Sequence, residues 1–416
     1  MTITTKTLLA ANYENYIRKR TIQDFEDQLC YDVAADKGDR IPTHSGDTIK
    51  FLKFLNLTRD QTVLTASTQP TAKALYSMQI TATAAEYGDR ITIERIPDLT
   101  AIALNFSDEA SRKLANVAAR KADYITATEL ATHSYRVRAD WNDTYQLDVT
   151  TTSDGNAGGT TLISTSLTQA DDFWNGGYAT ITGVDTAYLS RNSYLETQKI
   201  SDFANATGTV TVGTAFSSII KLGCTVHLAV GTGIDSTDLL TTDVFAKCIT
   251  RLGLNKATRF TGKAGQNLPA GKKQAGYWKV FVDPHTNYEF ITDTTWTNLG
   301  INQIAEQLLD GSGVKWYATM LYGTTQPWRE TTAGAESEAS GAVHLVFFCG
   351  QSAYAISDVA APGVKPPFGM EVNYLNARDL GQSVPRNSEM GFILYFVPKV
   401  LDSTAILGCM CGAPVI

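Results

Sequence analysis

Ser107-Asp108-Glu109-Ala110-Ser111-Arg112-Lys113-Leu114-Ala115-Asn116-Val117-Ala118-Ala119-Arg120-Lys121-Ala122-Asp123-Tyr124-Ile125-Thr126-Ala127-Thr128-Glu129-Leu130-Ala131-Thr132 is the longest helical pattern in the chain. Leu114, Val117, Ala118, Ala122, Ile125 and Leu130 recur at three- and four-residue steps, the spacing that gathers apolar side chains on one helix face. Ser107 stands at the N-cap, and Asp108 and Glu109 occupy the first turn, where carboxylates meet the positive end of the helix dipole. At 1.5 Å per residue such a helix runs roughly 35 to 40 Å. That is a strut, and the rest of the chain is best read outward from it.

Upstream, from Asp47 to Ile96, the pattern turns to period two, as in Thr48-Ile49-Lys50-Phe51-Leu52-Lys53-Phe54 and Gln79-Ile80-Thr81-Ala82-Thr83, which is the signature of strands. Two extended stretches flank the polar segment from Asn56 to Lys73, describing a long hairpin. A two-stranded ribbon is too narrow to own a core. Its apolar residues Phe51, Leu52, Phe54, Leu55 and Leu57 therefore need another surface, and a neighbouring copy of the chain is the expected one. Residues 1–45 are mixed and polar, with a short helix expected over Ile22 to Tyr31 and loop signals at Lys37-Gly38-Asp39 and His44-Ser45-Gly46. They read as an arm.

Downstream the composition shifts. From Ala139 to Ser236 the chain is rich in Thr, Ser, Gly, Asn and Asp, with short β-type runs at Thr160–Ser164, Tyr178–Thr182, Gly208–Val212 and Thr225–Val230. Strands and turns at this spacing predict a small sandwich or barrel set into another fold. Helix signals return over Thr242 to Leu252, where Val244, Phe245, Cys248, Ile249 and Leu252 share a face and Gly253 is the stop. Tyr277–Val282, ending in Asp283-Pro284, and Val343–Phe348 read as buried strands, Ile301–Leu309 as a short helix, and Gly391–Val397 and Ala405–Leu407 as closing strands. The mixture is α+β, and 416 residues are too many for one compact core, so two or three domains are expected.

This order of parts (polar arm, long hairpin, long helix, α+β domain, late returning strand) resembles the Hong Kong 97-type coat fold of tailed bacteriophages, and more narrowly the coat family of N-four-like podophages. The stretches that carry the resemblance are Gly46-Asp47-Thr48-Ile49-Lys50-Phe51, Glu86-Tyr87-Gly88-Asp89-Arg90-Ile91-Thr92-Ile93, Val282-Asp283-Pro284, Leu321-Tyr322-Gly323-Thr324 and Phe347-Phe348-Cys349-Gly350-Gln351-Ser352-Ala353-Tyr354. Each is short, and their order gives the likeness its force. The resemblance implies an N-terminal arm over 1–45, an extended loop over 46–96, and a peripheral domain with its spine helix over 97–138, completed by 386–416. It also implies an axial domain over 238–385. The β-rich stretch 139–237 departs from the minimal pattern as an inserted domain. Its segments Ala170-Asp171-Asp172-Phe173-Trp174-Asn175-Gly176-Gly177-Tyr178 and Tyr194-Leu195-Glu196-Thr197-Gln198-Lys199-Ile200 look like small β modules of phage structural proteins. The expectation is that it sits on the shell exterior and clamps neighbouring subunits.

The function so implied is that of a major capsid protein, a structural protein of the virion that self-assembles into pentamers and hexamers of an icosahedral head around double-stranded DNA. Assembly is expected in the host bacterial cytoplasm. The partners implied are copies of the same chain, a scaffolding protein, a portal, a decoration protein, and packaged DNA touched weakly and non-specifically. The arm is too short for a long scaffolding segment, so scaffolding is expected from a separate protein. Interface candidates are Phe51, Phe54 and Leu57 in the hairpin, and the helix charges Arg112, Lys113, Arg120 and Lys121, expected to pair with a neighbour's acids.

Composition agrees with this class and excludes others. The formal net charge of -7 gives no basic excess for gripping phosphate backbones. The opening MTITTKTLLAANYENYIRKR has no secretory apolar core and no apolar run reaches spanning length, so no membrane role is expected. Cys30, Cys224, Cys248, Cys349, Cys409 and Cys411 form no CxxC pair and read as reduced, mostly buried thiols.

Catalytic, cofactor and metal sites are not expected. His44, His133, His227, His285 and His344 never form HxxH, HExxH or HxH, and Gly158-Gly159 and Gly231-Thr232-Gly233 lack phosphate-loop spacing. The acids Asp171-Asp172, Glu26-Asp27 and Glu336 to Glu338 are sequence neighbours, as in solvated loops, not a glycosidase pair. Trp174 and Tyr178 suit core or interface packing better than a sugar groove. Lys50, Lys53 and Lys73, with Asn373 or Asn376, are the residues available for a lysine–asparagine crosslink of the kind some relatives make, but no motif supports it and ordinary lysines are the better reading. The competing readings are a secreted or surface-layer β-rich adhesin and a glycan-active enzyme.

Overall fold

The computed structural model describes residues 19–25, 29–42, 46–54, 73–94, 106–235, 237–260, 276–292, 315–316, 319–324, 328–330, 343–360, 368–375 and 387–412. Leu55, Leu57, His44, Asn376, the acids Glu26-Asp27 and Glu336 to Glu338, and the helix expected over Ile301–Leu309 lie outside them. The strands are β1 (Asp36–Lys37), β2 (Ile41–Pro42), β3 (Thr48–Phe54), β4 (Ser77–Thr83), β5 (Ala85–Glu94), β6 (Tyr135–Arg138), β7 (Gln146–Thr150), β8 (Thr161–Ile163), β9 (Tyr178–Gly183), β10 (Thr197–Ala204), β11 (Thr209–Val212), β12 (Thr225–Ala229), β13 (Trp278–Val282), β14 (Lys315–Trp316), β15 (Thr319–Gly323), β16 (Trp328–Glu330), β17 (Val343–Cys349), β18 (Tyr354–Ala360), β19 (Met370–Leu375), β20 (Asn387–Val400) and β21 (Ile406–Cys411). The helices with both ends described are α1 (Phe106–His133), α2 (Thr242–Leu254) and α3 (Pro284–Thr292); residues 19–25 are also helical, so the helix expected over Ile22 to Tyr31 begins earlier, and residues 29 and 30 lie outside any helix.

The strut forms as its spacing dictates, over 28 residues. Its buried face is mostly alanine: Ala115, Ala118, Ala119, Ala122, Ala127 and Ala131, with Leu114 and Leu130. Small side chains let the helix backbone lie close to a sheet, and α1 crosses β20 and β5. Alternate residues of β20, namely Met390, Phe392, Leu394 and Phe396, meet it in one core. Val117, grouped with the apolar face by spacing, is instead 40% exposed.

β20 organises its sheet. It pairs antiparallel with β5 along one edge, from Asn387 opposite Glu94 to Phe396 opposite Ala85. Its other edge takes β19 and β18, and β18 takes the arm strands β1 and β2 in parallel. The period-two run that looked like the outgoing hairpin strand therefore splits at Ala84: β4 stays in the ribbon and β5 joins the main sheet.

The second sheet runs β14-β15-β13-β17-β21-β6, with β16 on β17. β13 and β17 are buried on both faces, which is why they read as unbroken apolar runs. Phe281, Leu345 and Phe347 point to the core shared with α1, while Val280, Val282, Val346 and Phe348 pack on Val244, Phe245, Cys248 and Leu252 of α2. The Thr241 side chain caps α2 by accepting from Val244 N, and the helix passes the expected stop at Gly253 to end at Leu254.

Between α1 and α2 lies a six-stranded antiparallel sheet, β7-β12-β9-β10-β11-β8, as the turn-rich composition anticipated. It closes on itself: Ser153 bridges Ile163, and Thr152 N donates to Ile163 O at 2.9 Å. Inside is a separate core around Trp174, which is 0% exposed, with Phe203, Phe216, Leu162 and Val226. This β unit meets the hairpin where Tyr188 stacks on Tyr76.

Candidate assembly surface

The hairpin is β3 paired with β4, Thr48 opposite Thr83 through Phe54 opposite Ser77. Its two faces differ. Ile49, Phe51 and Lys53 alternate inward with Met78, Ile80 and Ala82, whereas Lys50, Leu52 and Phe54 face solvent. Leu52 is 62% and Phe54 54% exposed, and Leu75 at the foot of β4 is equally bare. Leaving that much apolar area in water is unfavourable at roughly 25 cal/mol per Å², so this face is suited to a partner. Of the predicted hairpin residues, Phe54 lies on the open face and Phe51 on the docked one, against Gly38; Leu57 falls outside the described residues.

The docked face is held by the chain's own body. Lys53 Nζ lies 2.6 Å from Asp402 Oδ2, so this lysine is an anchor and not the ordinary surface residue its sequence context indicated. Tyr76, just before β4, stacks on Tyr188 of the β unit with ring centroids 4.5 Å apart and planes at 18°. Beneath the ribbon is a cavity of about 280 Å³ lined by Met78, Ile80, His133, Glu196, Ser217 and Lys399. Burial raises the Glu196 carboxyl above its ordinary value, although hydrogen bonds from Ser217 oppose this. Glu129, at the end of α1, goes the other way. Burial opposes its ionisation, yet His133 at 3.3 Å and Lys399 at 2.9 Å bring it down to about 2.

The four helix charges separate. Arg112 and Lys113 are 60% and 71% exposed and each reaches Glu109 of the same helix, at 3.6 and 3.5 Å. Surface pairs of this kind contribute little and exchange readily, so both stay available to a partner. Arg120 is exposed. Lys121 donates to Gly88 O at 2.8 Å and so ties α1 to β5.

A polar neck joins the β unit to the body, and it contains residues the sequence did not single out. Arg138, 0% exposed, donates to Val230 O at 2.6 Å and Thr232 O at 2.7 Å, grips Asp140, and lies 4.6 Å over the Tyr145 ring. Arg136 stacks on Tyr178 at 4.1 Å. Asp148 accepts from His227 Nδ1 at 2.6 Å and Arg251 Nη2 at 2.8 Å, and these partners hold it well below the usual carboxylate range despite burial.

Three of the described histidines each meet a carboxylate, His133 with Glu129, His227 with Asp148, and His344 with Asp283, and the His285 ring lies 5.6 Å from that of His344. Among the described residues no three His, Cys, Asp or Glu side chains gather as a metal site, and no helix is long and apolar enough to cross a membrane. Five of the six cysteines are buried free thiols and Cys30 is half-buried. Trp174 and Tyr178 are buried in packing, at 0% and 6% exposure. Asp171 accepts from Asn205 N within a loop, as a solvated turn acid does.

No protein-family model matches the sequence, and no curated protein matches it. Among solved structures, a chain of the capsid of Ralstonia phage GP4 aligns at a TM-score of 0.54, covering 93% of this chain and 92% of that one at 11% identity. The capsid of cyanophage Pam1 aligns at 0.47, covering 94% and 93% at 12% identity. A virus-like particle from Pyrococcus furiosus aligns at 0.41, covering 95% and 99% at 7% identity. At 11% identity the likeness to the GP4 capsid chain is one of fold, and the mixed α+β fold of this chain is similar to it over 93% of its length.

Proposed function

We propose that the chain is the major capsid protein of a tailed bacteriophage, a structural subunit and not an enzyme. It assembles through copies of itself into pentamers and hexamers that close an icosahedral head around double-stranded DNA. The observation that carries this reading is the shared fold over nearly the whole of both chains. The exposed Leu52 and Phe54 on a ribbon too narrow to shelter them support it independently. In this reading the Hong Kong 97-type parts are the arm 1–45, the extended loop 46–96, the peripheral domain 97–138 with 386–416, the inserted β domain 139–237 and the axial domain 238–385, in a chain that resembles N-four-like coats. Phe54, Arg112, Lys113 and Arg120 are its interface residues. A separate scaffolding protein, a portal and a decoration protein are its partners, in the virion and, during assembly, in the host cytoplasm.

The test is negative-stain electron microscopy with size-exclusion chromatography of the purified chain, alone and with a co-encoded scaffold. Closed shells or pentamer and hexamer rings are expected. The variant Leu52→Asp/Phe54→Asp should leave the monomer's melting unchanged, because both positions are exposed, and abolish shells. A chain that stays monomeric under every condition would return the choice to an adhesin or a glycan-active enzyme.

A further inference from the structure

Among the described residues the β unit meets the hairpin at the loop 185–195, and that loop is built more stiffly than a connection requires. Asp185, 4% exposed, accepts from Leu189 N at 3.1 Å and Ser190 N at 2.8 Å. Ser190 Oγ accepts from Lys221 N at 2.9 Å, and Ser193 Oγ accepts from Ser218 N at 2.7 Å. Leu195 O accepts from Ser403 N at 3.1 Å, beside the Asp402 that holds Lys53. Two bulky residues in it have left-handed backbones, Tyr188 at φ 55° and Leu195 at φ 66°. Large L-residues rarely adopt that conformation, and it persists only where the surroundings enforce it. At Tyr188 the enforced conformation presents the ring that stacks on Tyr76, with the Arg191 guanidinium 5.9 Å from the Tyr76 ring as a second contact.

We propose that the 185–195 loop is a bracket: it holds the far end of the β3–β4 ribbon, where Phe54 pairs with Ser77, in cis through Tyr188 and Tyr76, and so sets the angle at which the ribbon's open face meets a neighbouring copy. The β unit then acts first on its own chain's hairpin, whatever it touches on neighbours. The consequence for shells rests on the coat reading; the bracket itself does not. Lys53 on Asp402 and Tyr76 on Tyr188 pin the far end of a ribbon whose other end continues into β5 and whose docked face buries Met78 and Ala82.

Hydrogen exchange on the full-length chain tests this. Tyr76→Ala and Tyr188→Ala are each expected to speed exchange of the β4 amides about two- to tenfold, the range of a stacked aromatic pair, and the double variant no more than either alone. Tyr188→Phe keeps the ring and should match the parent. Tyr188→Gly removes the ring while relieving the left-handed backbone, so it should loosen β4 without lowering overall stability, which separates a lost grip from a damaged fold. Unchanged β4 exchange in folded Tyr76→Ala and Tyr188→Gly overturns the bracket. In shells, Tyr188→Gly should broaden the distribution of diameters. Normal shells with unchanged exchange sink the bracket alone, whereas failure of the parent chain to form shells sinks the coat reading and leaves the exchange result to decide the bracket.

Discussion

Glu129 gives the sharpest energetic forecast. Its carboxylate sits where α1 ends, accepting from Lys399 Nζ at 2.9 Å and Val400 N at 3.3 Å, with His133 Nδ1 at 3.3 Å. Partial burial opposes the charge and these donors outweigh it, taking the group from 4.5 to about 2. At 1.36 kcal/mol per unit, the ionised form contributes about 3 kcal/mol to folding. Because the folded value is depressed, this contribution is fully present above about pH 4.5 and is lost as pH falls through about 2. Glu129→Gln keeps the shape and imitates the protonated acid. Urea denaturation of parent and variant should show a deficit of about 3 kcal/mol near pH 7, shrinking below about 1 kcal/mol near pH 2.5. A deficit independent of pH, or none at neutrality, refutes the assignment.

Asp123 behaves oppositely: burial raises it to about 6 although Cys30 N and Tyr31 N donate to it. Stability held below its ordinary value is lost as pH rises through about 6, so Asp123→Asn, which still accepts both bonds, should stabilise the chain at pH 8 by up to about 3 kcal/mol and not at pH 4; a loss at pH 8 contradicts this. Trp174→Ala should cost the β unit about 3–5 kcal/mol, exposing the amides of 146–229 to exchange while those of β17 and β20 stay protected. Equal deprotection everywhere would mean the β unit has no core of its own. Arg138→Met strands Asp140 and the carbonyls of Val230 and Thr232 and should cost about 3–5 kcal/mol by denaturant titration, whereas a neutral outcome would show that the neck is not held by this cation.

Periodicity made the large elements legible. The three-four spacing of α1 and the alternation of β3 and β4 are local properties of the chain, and the apolar runs of β13 and β17 report burial on both faces. What alternation could not separate was β4 from β5, because one period runs through both and only pairing with β20 divides them. β6, Tyr-Arg-Val-Arg, was hidden for another reason: all four residues are buried, but two are arginines, whose burial depends on partners from α1, from Asp140 and from the β unit. The candidate assembly surface was half visible. Phe54 and the helix cations announce themselves as an apolar side chain on a ribbon and charges on a helix. Tyr76 and Tyr188 meet across a large sequence separation with no shared motif, and the left-handed backbone at Tyr188 leaves no mark in its residue type.

The neck explains why the bracket can work. Two apolar faces in contact can slide at little cost, since burial has no direction. Hydrogen bonds and cation–ring contacts do have direction, and the β unit is mounted on these: Arg138 on two carbonyls and Tyr145, Arg136 over Tyr178, and Asp148 between His227 and Arg251. Such a mount adds little adhesion beyond what apolar packing of the same size supplies. It does fix orientation. The helix α1 is fixed to β20 by its alanine face, the β unit is fixed to the end of α1 by the neck, and the hairpin is fixed to the β unit by Tyr188. Each joint removes a rotation the previous one leaves open. On the coat reading proposed above, a shell built from many modest, repeated contacts closes only if every copy offers its surface at the same angle, and the proposed bracket is the last joint in the series that would carry that angle from the strut to the ribbon.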